Sequence, residues 1–319
     1  ALIEVKDLVK KYGSHLAVDH LSFTLESGKI YGFLGPNGAG KSTTMNIMTG
    51  YLGATQGSVL IDGHDILKEP EEAKKHIGYL PELPPLYMDM TVQEYLEFAA
   101  ELKKLPKEKR ESDISEVMKL TRLQDVSGRL IKNLSKGYKQ RVGLAQAILG
   151  FPEIIILDEP TVGLDPKQII EIRELIRTLS KKHTVILSSH ILAEVREVCD
   201  YILIISKGKL VASDTPENLE LLRNGASSLE LEVKAAPETA RAILSTIDDI
   251  NTMEMHIENE NLTRVKLETK NGADIREAVF YAFAEEKCPL LEMKTAKASL
   301  EDIFMELTQK EESNDAGNL

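Results

Sequence analysis

Residues 35–43 read GPNGAGKST and fit the pattern G-x-x-x-x-G-K-[ST]. An apolar stretch, KIYGFL, precedes them, and a helical pattern, STTMNIM, runs on from Ser42. A strand, a glycine-rich turn and a helix in that order make a phosphate cradle. The glycines let backbone N–H groups point inward at phosphate oxygens, and the helix N-terminus adds the positive end of its dipole. Lys41 supplies a point charge for the β- and γ-phosphates of a nucleotide, and Ser42 offers its hydroxyl to Mg²⁺. A second apolar run, IIIL at 154–157, ends in Asp158, the acid that a phosphate-loop site needs for its metal. Mg²⁺ keeps most of its water, so one hydroxyl and one carboxylate suffice. Glu159 follows at once, where a carboxylate can orient or deprotonate an attacking water. Taken alone, Asp158 and Glu159 also read as a helix cap; the phosphate loop upstream selects the metal and water reading.

These groups need a scaffold. Residues 1–34 turn in short alternating steps and read as strands separated by Gly and Ser turns. Lys41 to Met48 is helical, and 58–63 and 76–81 read as further strands. Thr91 to Lys104 is an amphipathic helix with Thr91 as N-cap and Glu94 at the capping-box position. Lys107–Leu123 and Ser135–Leu149 continue the helical pattern. Three apolar runs of strand length follow, at Ile154–Leu157, Thr184–Leu187 and Tyr201–Ile205, with helices at Lys167–Ser180 and Leu192–Val198 between them. That alternation predicts a parallel sheet with helices on its faces, interrupted by an inserted helical subdomain at about 83–150.

A boundary is expected near 222–228, where RNGASS breaks the pattern. Beyond it the rhythm restarts as βαββαβ, a ferredoxin-like split unit. Ala240, Ile243, Leu244 and Ile247 share one helical face, and Ile275, Ala278, Val279 and Ala282 another. A last helix would carry Leu300, Ile303, Phe304 and Leu307, and residues 311–319 lack apolar content and read as disordered. The expected domains are therefore 1–222, 229–310 and a tail.

Hydrophobic residues make up 42% and charged residues 28%, an ordinary globular balance. No apolar run reaches the roughly 18 residues that span a bilayer, and the N-terminus carries no signal-peptide pattern. Cys199 and Cys288 lack metal-type spacing and read as free thiols in a reducing compartment. The net charge is −12, and residues from Gly225 onward hold 20 acids against 10 bases, so the acidity concentrates there. That disfavours nucleic acid as a partner.

With LSKGYKQR at 134–141, IIILDEP at 154–160 and SSH at 188–190, the chain resembles ATP-binding cassette (ABC) ATPases over about residues 2–220. The resemblance implies an α/β fold of the P-loop NTPase, ABC ATPase kind. That fold has a mixed sheet core, an N-terminal antiparallel β subdomain and an inserted helical subdomain, here followed by the small α+β ferredoxin-like domain. It implies ATP and Mg²⁺ as cofactors, with ATP held by Gly35, Pro36, Asn37, Gly38, Ala39, Gly40, Lys41, Ser42 and Thr43. Tyr12 would stack on adenine with Val18 packed nearby, and Glu159 and His190 would be catalytic, His190 on the γ-phosphate. The metal would lie on Ser42, Asp158 and Glu82. Ser135 and Gly137, at the start of a helix, and Asp165, in GLDP, would reach the ATP of a second subunit. The cassette would then work as a dimer with an identical or a different ATPase subunit.

Two departures stand out. Lys136 and Tyr138 replace glycine and glutamine of the common LSGGQ, and Lys136 reads either as a charge near the γ-phosphate or as a side chain in solvent. Glu82 replaces the usual glutamine; its carboxylate offers oxygen to Mg²⁺ and adds negative charge beside the phosphates. GYLPE followed by PPLYMDMTVQEYL, and the ending SLEDIFMELT, resemble the ATPases of bacterial ABC-2 type exporters, the gliding-motility branch included. Such a subunit would sit on the cytoplasmic face of the membrane, held by a separate integral-membrane permease. The alternative is a soluble ABC ATPase acting on ribosomes or nucleic acid. A single cassette, no long coiled coil between Gly50 and Leu134, and an acidic C-terminal part all weigh against it. A scaffolding protein with a dead site is disfavoured by the intact Lys41, Asp158, Glu159 and His190.

Overall fold

The computed structural model describes residues 2–221, 228–259, 262–270 and 273–296. The chain folds as two compact units that part between Pro216 and Glu217. The expected boundary segment at 222–228, the helix with Leu300, Ile303, Phe304 and Leu307, and the tail lie essentially outside the described residues.

The first unit starts with two long antiparallel strands, β1 (Ile3–Tyr12) and β2 (His15–Leu25), then β3 (Ile30–Leu34) and helix α1 (Lys41–Met48). Next come β4 (Gln56–Ile61), β5 (His64–Asp65), α2 (Pro70–Lys75) and β6 (Ile77–Leu80). The helical insertion is α3 (Val92–Leu102), α4 (Lys107–Leu120) and α5 (Lys136–Ile148). The alternating part then resumes with β7 (Ile154–Asp158), α6 (Pro166–Leu179), β8 (Thr184–Ser189), α7 (Leu192–Val198), β9 (Tyr201–Ser206) and β10 (Lys209–Asp214), and α8 (Pro216–Leu221) begins where this unit ends. One sheet is antiparallel, in the order β2-β1-β4-β5; the other is mixed, in the order β10-β9-β3-β8-β7-β6.

Every residue of β3, β7 and β8 is buried. Strands covered on both faces need continuous apolar runs, and IYGFL, IIILD and TVILSS supply them. In register, Leu34 lies beside Ser189, and Asp158 beside Ser188. The C-terminal ends of these three neighbouring strands thus converge, which brings the loops after them together.

In the insertion, Thr91 accepts from the Glu94 N–H while Glu94 accepts from the Thr91 N–H, the capping box expected. Ser135 caps α5, its side chain accepting from the Tyr138 N–H at 3.4 Å. The other end of α5 is closed by Lys103, whose ammonium donates to the carbonyls of Gln146, Ala147 and Leu149 at 2.7–3.2 Å. A cation on those carbonyls complements the helix dipole, although burial pushes the Lys103 pKa down to about 8.

In the second unit, the order is β11 (Ser228–Val233), α9 (Pro237–Leu244), β12 (Ile250–Asn259), β13 (Leu262–Thr269), α10 (Arg276–Glu285) and β14 (Leu290–Ala296). Its antiparallel sheet runs β12-β13-β11-β14, the ferredoxin-like arrangement. Ala240, Ile243 and Leu244 are buried as their spacing requires, and Ile247 packs partly buried against them. The α10 face differs from expectation. Ile275, Val279 and Phe283 form the buried line, while Ala278 is exposed. A phenylalanine four residues on from Val279 buries far more apolar area than an alanine, and it sets the rotation of the helix.

Candidate functional site

Gly40 ends the phosphate loop at φ +100°, and a Cβ there would come 2.5 Å from the Ala17 carbonyl. Only glycine serves at such a position. The loop is also tied by Gly208, whose N–H donates to the Ala39 carbonyl at 2.9 Å. Lys41 is 5% exposed, with its Nζ 2.7 Å from the Gly35 carbonyl, 3.1 Å from that of Pro36 and 3.6 Å from Glu159 Oε1. Burial lowers its pKa, and the Glu159 and Asp158 carboxylates oppose that fall.

Asp158 closes β7 in a buried position, and its Oδ1 accepts from Ser42 Oγ at 3.1 Å and from Ser188 Oγ at 2.5 Å. An octahedral Mg²⁺ with oxygens about 2.1 Å away sets neighbouring ligands about 3 Å apart. The Ser42–Asp158 spacing fits that edge. Ser188 lies outside the set that the sequence patterns single out, and its hydroxyl also accepts from the Glu159 N–H at 2.9 Å. Its only sequence signal is its place in SSH.

Glu159 is buried and lies at φ +47°, a left-handed backbone that a non-glycine residue adopts at a cost. Its two oxygens face different groups, Oε1 toward Lys41 and Oε2 toward His190 Nδ1 at 3.0 Å. That contact leaves Nε2 of the half-exposed His190 ring for a ligand. A carboxylate and an imidazole so joined, beside a buried ammonium, can hold and deprotonate a water next to bound phosphate.

Tyr12, His15, Ala17, Asn37, Gly38, Gly40, Lys41, Ser42, Thr43, Glu82, Glu159, Val162 and His190 line one cavity of about 580 Å³. Tyr12 is half exposed, with the Lys10 ammonium 5.2 Å above its ring. Val18 does not line this cavity. It is fully buried in the core, whereas Ala17, one residue earlier, faces the site. Successive strand residues point to opposite faces, so the residue expected beside the base is displaced by one. Gly35, Pro36 and Ala39 shape the loop from behind.

Ser135, Gly137 and Asp165 lie apart from this cavity and form a second group. Asp165 caps α6, accepting from the Gln168 N–H at 2.9 Å, and a Cβ on Gly137 would come 2.6 Å from the Gln168 side chain. Gly137 is therefore small, within this chain, to admit Gln168. Lys136 is exposed, and its ammonium lies beside Gly163 in the loop that leads to Asp165.

A family profile described as ABC transporter matches residues 18–162. The chain is 37% identical to the uncharacterized ABC transporter ATP-binding protein YhcH of Bacillus subtilis (strain 168), over 96% of both chains. It is 35% identical to the bacitracin transport ATP-binding protein BcrA of Bacillus licheniformis, over 96% of this chain and 97% of that one. Among solved structures, a dimeric post-hydrolysis state of the cassette MJ0796 bound to ADP and Pi superposes with a TM-score of 0.61. It is 25% identical and covers 67% of this chain and 98% of that one. A phosphate loop beside a poised carboxylate–histidine pair, and relatives matched from end to end, lead to one conclusion: the chain belongs to the ABC transporter family as an ATP-binding subunit that hydrolyses ATP.

Proposed function

We propose that this subunit powers export through a separately encoded ABC-2 type permease by closing, with a second cassette, over two ATP molecules. The observation that carries the reading is the separation of Ser135, Gly137 and Asp165 from their own nucleotide cavity. An exposed helix end with free N–H groups and a positive dipole suits a phosphate, and the one it serves then belongs to a partner. The subunits of this family work with membrane permeases and dimerise; an identical partner and an exporter are the finer reading. BcrA, named for bacitracin transport, matches this chain through the C-terminal unit as well, which favours a transporter over a ribosomal or nucleic-acid role.

Within each half-site, Tyr12 stacks on adenine and residues 35–43 hold the phosphates. Glu159 takes the proton of the attacking water while His190 bonds the γ-phosphate. Mg²⁺, held by Ser42, Asp158 and Glu82, would neutralise charge developing on the phosphates. Glu82 lines the cavity and its charge acts on Lys41. Glu82→Gln is expected to raise the Mg²⁺ concentration for half-maximal turnover about tenfold, the scale for losing a supporting metal partner. A titration midpoint that does not move removes Glu82 from the metal.

A groove of about 920 Å³, lined in part by Tyr51, Tyr79, Leu83, Tyr87, Phe98 and Leu102, opens beside the helical insertion. Leu83 is 84% and Tyr51 82% exposed. No helix among the described residues is long and apolar enough to cross a membrane, and an exposed apolar groove of this kind marks a partner site. The permease occupies it and holds the subunit at the cytoplasmic face of the membrane. Expressed with its neighbouring membrane protein, the subunit should co-purify with membranes, and Leu83→Glu should weaken that association at least about tenfold, or 1.4 kcal/mol. ATP affinity should be unchanged. Co-purification with ribosomes, and no loss in the variant, would reverse the assignment.

A further inference from the structure

Glu194 is a carboxylate that the sequence patterns do not single out, and it is 7% exposed in the first turn of α7. A charged group is costly to bury without partners. Its partners are two hydroxyls: Thr161 Oγ1 donates to Oε2 at 2.6 Å, and Ser189 Oγ donates to the same oxygen at 3.1 Å. Both donors are themselves buried. Their places in the chain are what matter. Thr161 stands two residues after Glu159, in the loop that leaves β7. Ser189 is the last residue of β8, directly before His190 in the turn that follows. Ser189 Oγ also accepts from the Ile191 N–H at 3.0 Å, so the backbone on both sides of His190 is held by one hydroxyl.

We propose that Glu194 is a positioning residue for ATP hydrolysis. It joins the loop carrying Glu159 to the turn carrying His190 and so sets the 3.0 Å contact between those two side chains. The inference rests on the roles given above to Glu159 and His190. Glu194 does not line the nucleotide cavity, so it acts only through its neighbours. The loop after Thr161 continues to Gly163 and Asp165, the part that meets a second subunit. The link is a hydrogen-bonded chain of three side chains, Thr161–Glu194–Ser189, and needs no change in the phosphate loop.

The test uses Thr161→Val, Ser189→Ala, Glu194→Gln and Glu194→Ala, with ATP turnover, ATP affinity and thermal melting measured for each. Thr161→Val removes one bond, Ser189→Ala removes the bond to Glu194 and the one from the Ile191 N–H, and both keep the carboxylate, so they remain informative if Glu194→Ala does not fold. Turnover is expected to fall on the order of tenfold in either of these variants, the scale for losing one hydrogen bond to a charged group. KM for ATP should stay within about twofold, because the binding groups are untouched. Glu194→Gln keeps an acceptor oxygen and should retain more turnover than Glu194→Ala. The deciding measurement is a double-mutant cycle with His190→Ala under single-turnover conditions. Once His190 is gone, the variants at 161 and 189 should cost nothing further.

The same fractional loss with and without His190 overturns the proposal, since the effect then runs elsewhere, as does a fall in ATP affinity matching the fall in turnover. Normal turnover in all four variants beside an impaired His190→Ala enzyme overturns this proposal alone. Undiminished turnover in His190→Ala overturns the role of the histidine itself, and this inference with it.

Discussion

Replacing Glu159 with glutamine is expected to stop turnover and leave an ATP-bound dimer that elutes at twice the subunit mass. Glutamine has the same shape, so the hydrogen bond from the Glu159 N–H to Ser188 and the left-handed backbone turn are retained. What disappears is the base. Loss of a general base costs on the order of 10²–10⁴ in rate. ATP affinity should rise at the same time. Glu159 Oε1 stands 3.6 Å from Lys41 Nζ, so it competes with phosphate for the ammonium and repels the incoming nucleotide. An uncharged side chain removes both penalties, and the closed dimer accumulates because the step that would open it no longer occurs. Size exclusion with ATP and Mg²⁺ measures the dimer, and phosphate release measures the turnover. Hydrolysis within a few-fold of the parent enzyme would falsify the assignment of Glu159 as base.

The second large effect comes from the other group of residues. Ser135→Asp should fold normally and lose at least about 10² of its turnover, the scale for spoiling a donor set aimed at developing negative charge. Asp caps a helix as well as Ser does, so α5 keeps its start. The new carboxylate, however, stands at the helix end proposed to meet a partner's γ-phosphate and repels it. ATP should still bind to the open subunit, since Ser135 does not line its own cavity. Lys41→Ala should be inactive for the opposite reason. Mixed in equal amounts, the two inactive proteins should recover about a quarter of normal turnover. Half of randomly assorted two-fold dimers are mixed, and each of those holds one intact composite site. No recovery on mixing, with both proteins folded and dimeric, would mean that the helix end at Ser135 does not act across an identical dimer.

Much of the site is legible in the linear chain. GPNGAGKST is contiguous, and its geometry comes from local backbone preferences, so strand, loop and helix can be read in order. The caps at Thr91, Ser135 and Asp165 are legible for the same reason, because each is a contact over three residues. Short or polar elements escape. The helix α2 buries only Ala73, and β10 carries no fully buried residue, so neither has a periodic apolar signal. The choice of Ala17 over Val18 at the cavity depends on which face of β2 meets the loop. The choice of Phe283 over Ala278 depends on which side of α10 meets the sheet.

By itself the sequence determined that this chain carries a phosphate loop, and it supplied the candidates for a metal acid, a base beside it and a helix end for a second nucleotide. All of these follow from residues close together in sequence, where local geometry decides. Only the tertiary structure decided which of these groups meet. The order β3-β8-β7 brings Ser188 to Asp158 and Thr161 to within reach of Glu194. It also sets His190 on Glu159, and the packing of α5 against α6 turns Gly137 toward Gln168 and Lys136 toward Gly163. Strand neighbours and helix faces are chosen by burial of whole surfaces at once, and no local pattern of residues carries that information.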